Sequence, residues 1–236
     1  MKRHFAFAPD EYYHVYNRGT ERRVIFEDDH DYKRFLVLLY LSNGTAAIDL
    51  NEYFSQEGRS FLELFRANRG SQIVDVGSYC LMPNHFHLLL REKVDGGVST
   101  FMKKLGTAYS TYFNKKNTRV GPLFQGRFKA QHVDIDNYLK YLFSYIHLNP
   151  VKLIDPKWKE KGIFDMKKTK EYLNEYPYSS YQNFLGRKQI EKVILTRNRF
   201  PEYFKTTHDF EEFINDWLTF DDEFDVRRPS GKRKRL

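Results

Sequence analysis

Cysteine is almost absent from this chain of 236 residues, because Cys80 is its only one. A single thiol excludes an internal disulfide bond and any zinc site that is built from several cysteines. Cys80 stands within an apolar run, so we expect it to lie in a buried strand.

Long hydrophobic runs are also lacking. No apolar stretch approaches the ~20 residues that a membrane-spanning helix requires. The first residues, MKRHF, do not have the apolar character of a signal peptide. We therefore expect a cytoplasmic protein that has no membrane partner.

Aromatic and basic side chains, by contrast, are abundant. The chain contains 21 Phe and 17 Tyr, and its formal net charge is +8. Residues 209–226 hold only acidic charges and residues 227–236 only basic ones, which leaves a strongly basic body. A basic chain rich in aromatic rings is typical of nucleic-acid binding, through phosphate attraction and base stacking. Solubility is the alternative explanation of the charge.

The hydrophobic pattern predicts an alternation of strands and helices. Strands are predicted at 12–17, 73–82, 85–91 and 128–133, and helices follow Asp28, Val98 and Asp136. The order strand, helix, strand, strand, helix, strand, helix predicts an α+β fold, in which helices cover an antiparallel sheet.

Three regions are predicted on this basis. Residues 1–155 form the main domain, with an insertion at about 45–71. Residues 156–226 form a helical, aromatic-rich extension, and residues 227–236 form a basic tail. The role of the insertion, as a DNA-reading hairpin or a passive surface lobe, stays open.

Two histidines, His85 and His87, flank Phe86 in a predicted strand. Side chains alternate along a strand, so both imidazoles lie on one face, at Cα atoms roughly 6.5 to 7 Å apart. Phe86, Leu88 and Leu90 take the opposite face. Two imidazoles on one face can bind a single metal ion. The alternative is a half-exposed strand whose histidines only form hydrogen bonds.

A tyrosine and an amide follow on the helix that Asp136 begins. Tyr145 and Asn149 are four residues apart, and Tyr141 precedes Tyr145 by one turn, so all three share a helical face. A tyrosine hydroxyl beside a metal ion is suited to attack phosphorus and form a covalent intermediate. Core packing of a helical tyrosine is the alternative.

Four segments in this order resemble a known family. They are residues 13–19 (YHVYNRG), 81–89 (LMPNHFHLL), 126–130 (GRFKA) and 145–152 (YIHLNPVK). Together they resemble the single-tyrosine HUH transposases of the insertion-sequence-200-like group, and the nearest branch is similar to the REP-associated tyrosine transposases. The resemblance extends over about residues 10–155, with looser similarity at 176–181.

The resemblance implies a fold and an activity. It implies a ferredoxin-like or RRM-like nuclease core that cleaves and rejoins single-stranded DNA, at sites associated with hairpins, with Mg²⁺ or Mn²⁺. By the same resemblance His85, His87 and Asn149 bind the metal, and Tyr145 is the nucleophile that forms a 5′-phosphotyrosine link. A homodimer that exchanges the tyrosine helix between subunits is left open.

Basic residues near the fourth strand are candidate DNA ligands. Arg119, Arg127 and Lys129 alternate with Phe124 and Phe128, which suits a groove where bases stack and phosphates are neutralised. An ordinary loop that leads into a strand is the alternative.

Residues at the end of the first strand are candidates as well. Asn17 and Arg18 are placed to contact a phosphate or a hairpin base. His14 and His147 are either groups that support the metal ligands or ordinary packed residues, and packing is the favoured interpretation.

The sequence thus favours a metal-dependent transposase that cuts and joins single-stranded DNA. A domesticated protein that binds structured DNA without cutting it is the main alternative. A metal hydrolase that uses water as its nucleophile is a third, and it would tolerate Tyr145→Phe.

Overall fold

The computed structural model describes residues 5–46 and 60–219. The predicted basic tail and the middle of the predicted insertion lie outside these residues.

A four-stranded antiparallel sheet forms the centre of the structure. Its strands are β1 (Tyr12–Arg18), β2 (Val74–Met82), β3 (His85–Glu92) and β4 (Lys129–Val133). Their order across the sheet is β2-β3-β1-β4. β3 therefore lies between β1 and β2, which are consecutive in sequence and joined by a helical crossover. This is the split βαββαβ arrangement of ferredoxin-like folds, and the predicted α+β class is confirmed.

Helices lie between and after the strands. In chain order they are α1 (Asp29–Ser42), α2 (Phe61–Leu64), α3 (Gly97–Lys116), α4 (Asp136–His147), α5 (Trp158–Lys161), α6 (Met166–Glu175), α7 (Tyr181–Phe184) and α8 (Thr207–Thr219). A 3₁₀ turn, Asn149–Leu153, directly follows α4. None of the helices in the described part of the chain combines the length and apolarity that a membrane crossing requires.

The two aspartates at predicted helix starts, Asp28 and Asp136, behave differently. Asp28 caps α1 as expected, since its carboxylate accepts the backbone N–H of Asp31. Asp136 does not cap α4: it is the first helical residue, and Ile135 precedes it without a side-chain cap. The carboxylate of Asp136 instead accepts the hydroxyl of Tyr203, from the extension.

Both faces of the sheet are covered, so the protein has three layers. On one face Val15, Phe86 and Leu88 pack against α1 and α3 in a continuous core. On the other face Cys80 and Leu89 pack against α4 and the extension. The predicted burial of Cys80 in a strand is confirmed. The predicted opposite orientation of Phe86 and the two histidines is confirmed too.

The extension is part of the second core. Phe210 on α8 is fully buried, and its ring contacts Phe184 and Phe204 at centroid distances of 4.9 and 5.2 Å. The same ring lies 5.3 Å from His147 at the end of α4. The extension therefore holds α4 against the sheet from outside.

Removing the Phe210 ring tests this packing. Phe210→Ala should lower the free energy of unfolding by about 3–5 kcal/mol, because it leaves a large cavity in a closed aromatic cluster. Phe164 is 97% exposed, so Phe164→Ala should change the free energy of unfolding by less than about 0.5 kcal/mol. Urea denaturation of both variants measures the difference, and equal effects would contradict a packed extension.

Candidate functional site

An open cleft of about 670 Å³ lies on the face of the sheet that carries the two histidines. Strands β1, β3 and β4 form its floor, and α4 and the segment after it form a wall. The residues that line it include His14, Tyr16, Asn17, Arg18, His85, His87, Lys129, Tyr138, Tyr141, Tyr145, Asn149, Lys152 and Lys159. The cleft therefore combines histidines, tyrosines and cations on one surface.

His85 begins β3 and points into the cleft with His87, as strand alternation predicts. The centroids of the two rings are 5.1 Å apart. The Nδ1 atom of His85 lies 2.6 Å from the side-chain oxygen of Asn84. Because a carboxamide oxygen can only accept, Nδ1 carries the proton and donates it. The lone pair of His85 is then on Nε2, which is the ring atom that could bind a metal ion.

His87 is buried, and it contacts a third histidine on the neighbouring strand. The Nε2 atom of His14 lies 2.9 Å from Nδ1 of His87, and the rings stack at 5.1 Å. His14 is 5% exposed and His87 6%. His14 and His87 are diagonal neighbours across β1 and β3, since the residue directly opposite His87 is Tyr16.

The imidazoles of the cleft are held in the neutral form. Burial, followed by the nearby charges of Arg18 and Lys152, lowers the pKa of His85 to about 4. Burial lowers the pKa of His14 to about 4 as well. The pKa of His87 is lowered well below its usual value, by burial first and then by its histidine and cationic neighbours. Neutral imidazoles are the form that binds metal ions.

Tyr145 brings a hydroxyl-bearing ring to the same place. It is half-buried on α4, and its ring centroid lies 5.5 Å from that of His87 and 5.6 Å from that of His14. Tyr141 lies one turn earlier, at 5.9 Å from Tyr145. The ammonium of Lys159 is over the Tyr145 ring, 4.8 Å from its centroid.

Asn149 lies just past the end of α4 and lines the same cleft. Its side-chain N–H donates to the carbonyl of Tyr145 at 2.8 Å, which leaves the carboxamide oxygen as the atom suited to a ligand role. Two neutral imidazoles and one amide oxygen form a mixed nitrogen and oxygen donor set. Such a set fits a divalent cation, with waters or phosphate oxygens as further ligands.

The structure brings some of the predicted DNA-binding residues into the cleft. Asn17, Arg18 and Lys129 line it, at adjacent ends of β1 and β4. The Asn17 amide is anchored, since it donates to the carbonyl of Gly126 at 3.3 Å. A phosphate in the cleft would therefore meet Arg18 and Lys129.

Other predicted residues lie elsewhere. Arg119 does not line the cleft: its guanidinium donates to the side-chain oxygen of Asn114 at 2.7 Å. Arg127 is exposed and outside the cleft lining. Phe124 is 9% exposed and packs edge-on against Phe86 in the core, so it is not available to stack on a base. The proposed alternation of cations and stacking rings is wrong at this position.

His14 and His147, which the sequence treats alike, have different surroundings. His14 contacts His87 directly, as described above. His147 is on the far side of α4, where its Nε2 is 2.7 Å from the hydroxyl of Ser180 within the second core. His147 is therefore a packed residue and does not support the cleft histidines.

Three cleft cations, Arg22, Lys152 and Lys159, are not among the residues predicted from the sequence. Lys152 lies inside the segment 145–152, which resembles the family pattern, so this segment is the sequence signal that could have identified it. Lys159 is on α5 in the extension, and nothing in its local sequence distinguishes it from the neighbouring Lys157 and Lys161. Only the packing of the extension brings Lys159 beside Tyr145.

A second group of potential ligands lies at the start of α1. The side chains of Asp28, His30 and Asp31 are close enough together to share an ion. The ammonium of Lys116 already contacts both carboxylates, at 2.8 and 2.7 Å. The two carboxylates of this helix start, on the other face of the sheet, therefore already share a cation of the protein itself.

Comparison with known proteins identifies a family. The family model described as "Transposase IS200 like" matches residues 9–149. Among solved structures, a REP-associated tyrosine transposase bound to a REP hairpin is 13% identical, with a TM-score of 0.47 over 81% of this chain and 89% of that one. The tRNA(His) guanylyltransferase from Saccharomyces cerevisiae is 12% identical, with a TM-score of 0.31 over 87% of each chain. A search of curated proteins found no match.

The family match spans more than half of the chain, and it contains all three cleft histidines, Tyr145 and Asn149. The chain therefore belongs to the family of IS200-like transposases.

Proposed function

We propose that this transposase is a metal-dependent endonuclease and strand transferase for single-stranded DNA, with Tyr145 as its nucleophile. The observation that carries the proposal is the position of the Tyr145 ring, 5.5 Å from the ring of His87 within one cleft. In the proposed site, a single copy of the chain supplies both groups.

The proposed reaction exchanges one phosphodiester for another. The Tyr145 oxygen attacks phosphorus, the bond from phosphorus to the 3′ oxygen breaks, and a 5′-phosphotyrosine and a free 3′-hydroxyl result. Attack by a 3′-hydroxyl on the phosphotyrosine reverses the step and joins two strands. Because the bond energy is retained in the phosphodiester, no nucleotide cofactor is needed.

The residues of the cleft divide into two groups under this proposal. The Nε2 atoms of His85 and His87 and the carboxamide oxygen of Asn149 would hold Mg²⁺ or Mn²⁺. When bound, such an ion polarises the phosphate and stabilises the charge of the transition state. Lys152 and Lys159 line the same cleft and would neutralise the phosphate while it is attacked.

The charge and shape of the cleft support a single strand as substrate. Arg18 and Lys129 offer cations for the DNA backbone, and the half-buried Tyr141 offers a ring for an unpaired base. Recognition of a hairpin and formation of a homodimer remain predictions from the sequence resemblance.

Replacing the nucleophile tests the proposal. Tyr145→Phe should abolish the covalent protein–DNA adduct formed with labelled single-stranded oligonucleotides from the DNA flanking the gene, in the presence of Mn²⁺. The matched control is Tyr141→Phe, because Tyr141 lines the same cleft one helical turn away. It should retain the adduct. A denaturing gel separates the adduct from free DNA, and mass spectrometry of the peptide locates the modified tyrosine.

Other outcomes would identify other functions. Cleavage without an adduct, unchanged in Tyr145→Phe, would mean that water is the nucleophile. Binding with neither product, on an oligonucleotide that carries the recognised site, would mean a domesticated binder. Adduct formation that persists in chelator would contradict the metal requirement.

Removing the charge of Lys159 tests whether its ammonium group stabilises the transition state of adduct formation. Lys159→Met keeps most of the side-chain volume and should slow adduct formation by about 10²–10³-fold, the usual effect of losing one group that stabilises the transition state. Lys161→Met removes an exposed cation two residues away and should leave the rate unchanged. Single-turnover rates with excess protein measure both, and equal rates for the two variants would contradict a role for Lys159.

A further inference from the structure

His14 is a buried polar residue whose ring nitrogen points at a proposed metal ligand. Its Nε2 atom is 2.9 Å from Nδ1 of His87, which is hydrogen-bond distance. His14 is 5% exposed, so water does not compete freely for this contact. Both residues are on paired strands of the central sheet, where they are diagonal neighbours.

A hydrogen bond between two neutral imidazoles has two forms. In the first, Nδ1–H of His87 donates to Nε2 of His14, and Nε2 of His87 keeps a lone pair. In the second, Nε2–H of His14 donates to Nδ1 of His87, and Nε2 of His87 carries a proton. Only the first form leaves His87 able to bind a metal ion through Nε2.

We propose that His14 is a positioning residue that accepts the Nδ1 proton of His87 and thereby directs the lone pair of Nε2 into the cleft. Histidines that bind metals commonly donate their second nitrogen to a carbonyl or carboxylate, which fixes the tautomer and the ring orientation. Here a third imidazole takes that role. His85 has the equivalent support from the side chain of Asn84.

The hydrogen-bond partners of the two histidines, Asn84 for His85 and His14 for His87, differ in whether they fix the tautomer. The Asn84 oxygen can only accept, so it fixes the tautomer of His85 whether or not a metal is bound. An imidazole can accept or donate, so His14 permits both tautomers of His87 in the free protein. Metal binding then selects the form in which His14 accepts.

The inference rests on the proposed metal site, and Mn²⁺ binding by the full chain tests both without measuring activity. His14→Gln places an amide oxygen near the position of Nε2, and His14→Met has a similar length but only a weak acceptor. We expect His14→Met to weaken Mn²⁺ binding by about 10–100-fold and His14→Gln to restore most of the affinity. Tyr16→Phe, on the same strand face beside His87, is the control and should bind as the wild type does.

The outcomes distinguish a failure of the positioning role of His14 from a failure of the proposed metal site. Unchanged affinity in His14→Met, or an equal loss in Tyr16→Phe, would overturn the positioning role while leaving the metal site intact. Wild-type binding that is no tighter than that of His87→Ala would overturn the metal site and the inference with it.

A second measurement keeps the test valid if His14→Met fails to fold. Nitrogen-15 chemical shifts of wild-type imidazoles, recorded with saturating Mg²⁺, report which nitrogen of His87 carries the proton. We expect Nδ1–H. A proton on Nε2 of His87 under these conditions would overturn the proposal.

Discussion

The central strand β3 is the constraint on which the remainder of the structure depends. It lies between β1 and β2, so its backbone is hydrogen-bonded on both sides and its register is fixed. Alternation then sends Phe86 and Leu88 into one core and His85 and His87 to the opposite face. A shift of one residue would exchange these faces, so the same hydrophobic burial that stabilises the sheet also positions the two imidazoles.

The second core completes the cleft by holding α4 against this face. Phe210 and Phe184 of the extension pack around His147, and Ser180 donates to or accepts from the same ring. These contacts lie on the side of α4 away from the cleft, whereas Tyr145 lies on the side towards it. The extension also contributes Lys159 directly. It is therefore part of the architecture of the site, although the family match ends before it begins.

The sequence predicts what is local and leaves open what depends on packing. Period-two alternation places both histidines, because backbone geometry alone sets that relation. Tyr145 and Asn149 share the cleft, as their spacing suggests, although α4 ends at His147 and Asn149 begins the 3₁₀ turn that follows. Lys159 reaches the cleft through contacts between segments distant in sequence, for which no local pattern exists. Phe124, by contrast, was assigned a role that it does not have. Its basic neighbours suggest a DNA-binding groove, but its ring is buried in the hydrophobic core.

The positive charges near the histidines have two opposing effects on metal binding. Arg18 and Lys152 help to lower the pKa of His85, which keeps it neutral and able to bind a cation. The same charges attract a phosphate and repel a divalent ion. A phosphate in the cleft offsets that repulsion, so the DNA backbone and the metal ion should each strengthen the binding of the other. In the proposed site, the electrostatics of the cleft therefore make metal binding stronger when DNA is present than when it is absent.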